Sequence, residues 1–389
     1  MPGKTPKTAL LVWELGEGLG HLPTLKAIGG ALRDDGWRIA FALREPEPAR
    51  AGLATLACPV LQAPFWPDAA VVAEPSYSYA DILAANGFAA SRDLRSLIDG
   101  WDSVFDATKP DLVVCEHSPG AVVAAFGRIP VALVGNGFLM PPADGTTFPS
   151  YMPAKSDGRS QQAILAAMRE ALAPRGAIPQ TITEPFRGAF RGVYTFPALD
   201  PYRALRRDQV FGPLETLPPL TPLPAKRHVF AYSASDAALI DELSAVLMDS
   251  GAQASAYFRG RLGARGAVLQ SRGVRVFSEA PALAEILPGT SCVFSHAGSG
   301  LTAAAFAAGR PQILAPRHGE ADATAKLLED LGVGITVAPM ERKRLREAIE
   351  RVHSEPQFAA AAQRAGEAAQ AFVERANGLA RTVATFAAL

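Results

Sequence analysis

The sequence predicts an α/β protein built from two Rossmann-like, doubly wound domains that face a cleft. Three observations predict it. Short apolar runs alternate with stretches of helical spacing, the order that gives a parallel sheet with helices on both faces. The alternation begins near Thr8 and begins again near His228. Between the two series lies Phe211 to Lys226, FGPLETLPPLTPLPAK, whose five prolines read as a linker. The expected division is a first domain at 1–210, the linker at 211–226 and a second domain at 227–370. A helix at 371–389, in an Ala-rich tail, is expected to pack back on the first domain.

Thr8 to Glu14 (TALLVWE) is a short apolar run followed by glycines, as in a buried parallel strand. His21 to Asp35 places Leu22, Leu25, Ile28 and Leu32 on one helical face, with Gly36 as the stop. Further strands are expected at Arg38–Leu43, Asp111–Cys115 and Val131–Val134. After the linker come a strand at His228–Tyr232 and a helix at Asp236–Asp249. Strands near Gln253–Phe258, Val274–Phe277, Cys292–Ser295 and Gln312–Ala315 complete the second series. Two stretches are less regular, Ala63–Trp101 and Phe138–Pro179. They carry Phe65, Trp66, Tyr77, Tyr79, Phe88, Trp101, Met140, Phe148 and Tyr151, which either form loops over an apolar ligand pocket or fill the core.

Charge and cysteine content narrow the function classes. Basic and acidic side chains balance at 38 each, so no excess exists to neutralise a phosphate polymer, and nucleic-acid binding is not expected. Cys58, Cys115 and Cys292 are widely spaced, with no C-x-x-C, which argues against a disulfide scaffold or structural zinc and fits a reducing cytoplasm. The apolar run from Ala9 to Trp13 is too short for a signal peptide, and the stretch from Ala121 to Met140 is broken by Arg128 and Pro130. A membrane span is not expected; peripheral contact with a membrane is left open.

Two constellations carry chemistry. In the first, Gly16, Gly18 and Gly20 follow the first strand and precede a helix, where glycines allow a sharp turn and close approach of a ligand. The spacing is G-x-G-x-G rather than the dinucleotide fingerprint G-x-G-x-x-G, and Leu43-Arg44 stands where an acidic residue would bind ribose. His21 sits at the first turn of that helix, at the carboxyl edge of the sheet, where a histidine can serve as general base. Glu116, at the end of another strand, could orient it and stabilise the imidazolium. In the second constellation, FSHAGSGLTAAAFAA ends a strand and opens a helix. Gly298, Ser299, Gly300 and Leu301 would expose main-chain N–H groups to an anion, with His296 donating to a phosphate oxygen and Ser299 and Thr302 adding hydroxyls.

With these motifs in place, the chain resembles the family-one GT-B glycosyltransferases, which include the UDP-glycosyltransferases and bacterial enzymes that glycosylate macrolides. GHLPTL (Gly20 to Leu25) is similar to the family's G-H-x-x-P start, FGPL (Phe211 to Leu214) to its V-G-P-L, and Ala234-Ser235 to its Gly-Ser turn near the donor phosphates. HAGSGLTAAAFAAGRP (His296 to Pro311) is similar to H-G-G-x-G-T…A-x-G-x-P. The resemblance implies an inverting, metal-independent transferase with no cofactor beyond its nucleotide-sugar substrate. His21 would be the base and Glu116 its partner, Ser235 and His296 to Leu301 would hold the diphosphate, and Glu320 would grip the sugar. The first domain would bind an apolar small molecule or a lipid as acceptor, and the second the donor. Two departures bear on that donor. Ala304 stands where many UDP-sugar enzymes have a ribose-binding glutamate, which favours a dTDP-linked donor. Glu320-Ala321 stands where the family has Asp-Gln, which implies an unusual sugar. The rival readings are a nucleotide-sugar epimerase of the same fold and a non-catalytic partner protein.

Overall fold

A computed structural model describes residues 6–16, 18–66, 76–152, 158–234, 237–249, 253–260, 262 and 264–389. The chain forms two compact units, Met1–Glu215 with Ala376–Leu389, and Thr216–Arg375.

The first unit is built on seven parallel strands: β1 (Thr8–Trp13), β2 (Arg38–Leu43), β3 (Val60–Gln62), β4 (Leu112–Glu116), β5 (Val131–Gly135), β6 (Phe190–Val193) and β7 (Gln209–Val210). Their order is β3-β2-β1-β4-β5-β6-β7. All six residues of β1 are buried, which is why the strand reads as an unbroken apolar run rather than an alternation. The chain winds one way from β1 to β3 and the other way from β4 onward. The carboxyl ends of β1 and β4 therefore flank the switch point where open α/β sheets bind ligands, with Trp13 opposite Glu116 in the register. The helix Leu22–Asp34 buries Leu22, Leu25, Ile28 and Leu32, as the spacing predicts.

The two stretches read as irregular contain ordered helices, Ser91–Thr108 and Arg159–Leu172. Leu94, Leu97, Ile98, Trp101, Val104 and Phe105 form the buried face of the first. Tyr79, Phe88, Trp101, Met140 and Phe148 all lie in one core cluster. These aromatics fill the core, while Phe65, Trp66 and Tyr77 stay half-buried. The helix Gly378–Ala388 also belongs to this unit: Phe386 is fully buried against Phe190, and the Tyr194 and Thr382 hydroxyls hydrogen-bond.

The second unit repeats the plan with β8 (His228–Ala234), β9 (Gln253–Arg259), β10 (Arg275–Phe277), β11 (Cys292–Ser295), β12 (Gln312–Leu314) and β13 (Gly334–Thr336), ordered β10-β9-β8-β11-β12-β13. Its switch point lies between β8 and β11. The Pro-rich segment is divided. Phe211 is buried in the first unit, whereas Pro218 to Thr221 are tied into the second.

Arg310 makes much of that tie. Its side chain is buried, with Nε donating to the Leu287 carbonyl at 2.8 Å and Nη1 to the Thr221 carbonyl at 3.0 Å. Gln363 adds a bond to the Thr221 carbonyl at 3.2 Å. Burial pushes the Arg310 pKa down to about 10, so the guanidinium is still charged at neutral pH and is balanced by carbonyl dipoles. Arg310→Met keeps the bulk but leaves those carbonyls without a donor. It should cost about 2–4 kcal/mol of stability, read by denaturant unfolding. An unchanged midpoint would show that the tie contributes nothing.

Candidate active site

The first group of site residues gathers where β1 and β4 end. After Trp13 the chain must turn back sharply into the helix at Leu22. Gly16 (φ 87°) and Gly18 (φ 77°) take left-handed conformations that other residues adopt only with strain. Gly16 is required on a second ground: a Cβ built there would lie 2.4 Å from His21 Nε2. The backbone is therefore laid directly against the imidazole. Gly20 differs, because a Cβ there would meet nothing within 4 Å and its φ is not left-handed, so neither space nor conformation demands a glycine.

His21 Nδ1 lies 2.8 Å from Glu116 Oε2. The Trp13 ring stacks on the His21 ring with centroids 5.2 Å apart. A carboxylate on Nδ1 fixes the proton there and leaves Nε2 as the proton acceptor. The side chains are 16% and 5% exposed, so His21 still reaches solvent while Glu116 does not. This is the arrangement of an oriented base, and it joins two residues 95 positions apart because β1 and β4 are neighbours.

Two neighbours escaped the sequence reading. Glu14, the residue that ends the first apolar run, is fully buried. Its Oε2 accepts hydrogen bonds from the Gly120 N–H at 2.8 Å, the Ala121 N–H at 3.3 Å and Trp101 Nε1 at 3.2 Å. These bonds fasten the end of β1 to the helix Pro119–Ala125 that follows β4. Burial outweighs them and pushes the carboxyl up to about 8. The second neighbour, His117, adopts a left-handed φ of 42°, and its carbonyl accepts the Leu15 N–H at 3.0 Å. Burial outweighs a hydrogen bond to the Leu15 backbone and, with the repulsion a protonated His21 would add, holds its imidazole down to about 3, so it is neutral throughout the physiological range. Adjacency to Glu116 was the signal that could have singled it out.

The second group lies at the switch point of the second unit. Ala297 takes a left-handed φ of 59°, and Gly298 caps the helix Ser299–Ala307. The first helical bond is Thr302 N–H to the Gly298 carbonyl, so the N–H groups of Ser299, Gly300 and Leu301 point out of the helix end. A Cβ at Gly298 or Gly300 would meet nothing within 4 Å, and residues 298–300 are exposed. An anion therefore has room to approach. Thr302, by contrast, is 1% exposed and its hydroxyl lies in the core, so it offers an anion nothing.

His296 is engaged differently from the expectation. Nδ1 lies 3.0 Å from the Ala315 carbonyl and Nε2 3.1 Å from Ser233 Oγ. A carbonyl only accepts, so Nδ1 carries the hydrogen. In the neutral ring Nε2 is then an acceptor, and donation to a phosphate from Nε2 needs the second proton. Ser235 lies outside the described residues. Glu320, five residues beyond Ala315, is half-buried in the first turn of the helix Gly319–Asp330. Ala321 is fully buried and Ala304 is 5% exposed within a core cluster, so neither presents a polar group to a ligand. Among the described residues, no three His, Cys, Asp or Glu side chains converge as metal ligands, and no helix is long and apolar enough to cross a membrane.

Residues 268–374 match the family described as erythromycin biosynthesis protein CIII-like, C-terminal domain. The elloramycin glycosyltransferase ElmGT of Streptomyces olivaceus is 28% identical over 298 residues, which span 72% of this chain and 69% of that enzyme. Among solved structures, the calicheamicin glycosyltransferase CalG4 superposes with a TM-score of 0.71 at 17% identity, covering 99% of this chain and 98% of CalG4. The glycosyltransferase SsfS6 of Streptomyces sp. SF2575, complexed with thymidine diphosphate, superposes with a TM-score of 0.62 at 17% identity, covering 94% and 96%. The fold is thus the GT-B fold of two Rossmann-like domains.

Glu14 sets a pH dependence. Unfolded, its carboxyl ionises near the ordinary 4.5; folded, near 8. Its contribution to stability is complete below the first value and is lost as pH rises through the second. Glu14→Gln mimics the neutral acid and removes this loss. The variant's stability relative to wild type should therefore climb by about 1.4 kcal/mol for each pH unit crossed in that window. Parallel stability curves from about pH 5 to about pH 9 would contradict a neutral Glu14.

Proposed function

We propose that this chain is an inverting glycosyltransferase that carries a sugar from a nucleoside-diphosphate donor to a hydroxyl of an apolar small molecule. The observation that carries the reading is the 2.8 Å contact of His21 Nδ1 with Glu116 at a sheet switch point, with Nε2 left to accept a proton. Chemistry follows from the two groups of residues. His21 Nε2 takes the proton of the acceptor hydroxyl as that oxygen attacks the anomeric carbon on the face opposite the diphosphate. Glu116 stabilises the imidazolium formed.

The leaving diphosphate develops negative charge. The N–H groups of Ser299, Gly300 and Leu301 and the positive end of their helix offset it, so the transfer proposed needs no metal. Ser299 adds a hydroxyl. His296 adds a donor once protonated, which places a charge beside the diphosphate when it is needed. Glu320 would accept hydrogen bonds from sugar hydroxyls. Ala304 has no carboxylate for ribose hydroxyls, which favours a dTDP-linked donor over a UDP-linked one. The thymidine diphosphate held by SsfS6 is consistent with that preference. An acceptor of the antibiotic class fits the relatedness to an elloramycin glycosyltransferase. Lipid acceptors form a second arm of the acceptor screen.

Two outcomes test the reading. Incubated with a panel of nucleotide sugars and aromatic or macrolide aglycones, the wild type should give glycosylated product by mass spectrometry. His21→Ala should lower turnover by about 10²–10⁴-fold. Near-wild-type turnover by that variant would remove the base from the mechanism, and donor conversion without acceptor would mark an epimerase instead. Separately, dTDP at about a hundred times its Kd should add about 2.7 kcal/mol of stability, and His296→Ala should reduce the shift. No shift with dTDP or UDP would count against a donor site at residues 296–301.

A further inference from the structure

We infer that Glu45 is a positioning residue for the base: its side chain ties down the middle of the glycine turn and so sets where His21 Nε2 is presented. The base role of His21 is the one proposed above, and the inference rests on it. Its own support is a single bridge between two strand ends. The turn runs from the end of β1 to the helix Leu22–Asp34, with His21 as the last residue before that helix. Both ends of the turn are held. On one side the Leu15 N–H donates to the His117 carbonyl at 3.0 Å, and Trp13 Nε1 donates to the Leu15 carbonyl at 2.7 Å. On the other side the Leu22 N–H donates to the Leu19 carbonyl. Between them, among the described residues, one hydrogen bond joins the turn to another element: the Gly18 N–H donates to Glu45 Oε1 at 2.8 Å.

That bond begins where the sheet stops. The last bond of the β1–β2 ladder runs from the Arg44 N–H to the Trp13 carbonyl at 2.8 Å. Glu45 is the next residue, and its side chain spans to a turn that the ladder cannot reach. Glu45 also precedes the helix Pro46–Leu53 but makes no side-chain cap bond to it, so its bond to Gly18 is not a by-product of capping. Gly18 sits at φ 77° and ψ 171°, a conformation open to glycine and almost closed to other residues. A turn with glycines at 16, 18 and 20 has many backbone conformations available, and one bond to its centre selects among them. The selection matters because this backbone lies against the atom that takes the proton: a Cβ at Gly16 would fall 2.4 Å from His21 Nε2. Glu116 fixes the imidazole through Nδ1, and Glu45 fixes the turn that borders Nε2.

The test compares the full-length wild type with Glu45→Ala, Glu45→Asp, Glu45→Gln and a control, Glu47→Ala, whose exposed side chain pairs with Arg50. Gln keeps an acceptor oxygen at the same reach; Asp keeps the charge and falls one methylene short. The Gly18 amide should therefore exchange its hydrogen about 10-fold faster in the Ala and Asp variants and at the wild-type rate in Gln and in the control. The His21 imidazole ¹⁵N signals, sharp in the wild type, should broaden in Ala and Asp alone. In transfer assays well below the unfolding temperature, Ala and Asp should lose kcat by about 10²-fold with the donor KM held, and Gln should restore most of it. If the Ala variant does not fold, Asp carries the comparison. Unchanged Gly18 exchange in Asp, or a Gln variant that behaves like Asp, would overturn the assignment. Exchange and imidazole signals that respond as expected in a chain without transfer activity would instead place the failure in the transfer reading.

Discussion

The site depends on one contact between residues far apart in sequence, His21 Nδ1 on Glu116 at 2.8 Å. It exists because β1 and β4 are adjacent at the point where the sheet reverses its winding, which brings Trp13 opposite Glu116. It is shaped by Gly16, the residue position at which a side chain would collide with the imidazole. Trp13 stacked on one face of the ring limits its rotation. A base held by three elements needs little reorganisation when a proton arrives, which is how position contributes to rate.

The same sheet edge holds two carboxyl groups in different surroundings. Glu116 faces an imidazole and is suited to stabilising a positive charge. Glu14, just past the end of the neighbouring strand β1, faces two backbone N–H groups and an indole, with burial keeping it protonated. Its work is mechanical: it fastens the end of β1 to the segment that follows β4, and so supports the turn bearing Glu116 and His117. Ionising it would place an uncompensated charge beneath the base. Environment, rather than residue type, separates the two roles.

Much of this was legible in the sequence. The run TALLVWE, the spacing of Leu22, Leu25, Ile28 and Leu32, and the restart at His228 are local patterns, and each became the element expected. The pairing of His21 with Glu116 was inferred from both standing at strand ends, and the strand order put them together. Other features were hidden for physical reasons. β3, β6, β7 and β13 span two to four residues each, too few to show a period. The aromatics of the two irregular stretches resembled ligand-facing loops because composition does not say which side of a helix faces the core; Trp101 and Phe88 are fully buried. His296 was given a donor's role, but the Ala315 carbonyl that fixes its hydrogen lies on a different strand end and has no sequence mark. Glu14 and His117 were passed over because their burial comes from packing across elements.

The pH profile of kcat/KM tests the oriented base most directly. In the wild type, activity should fall on the acid side as His21 gains a proton. In Glu116→Gln the neighbouring negative charge is gone, so the imidazole is less basic and the acid limb should move to lower pH, with a reduced plateau. An acid limb at the same pH in both enzymes would mean that Glu116 does not act on the group that takes the proton.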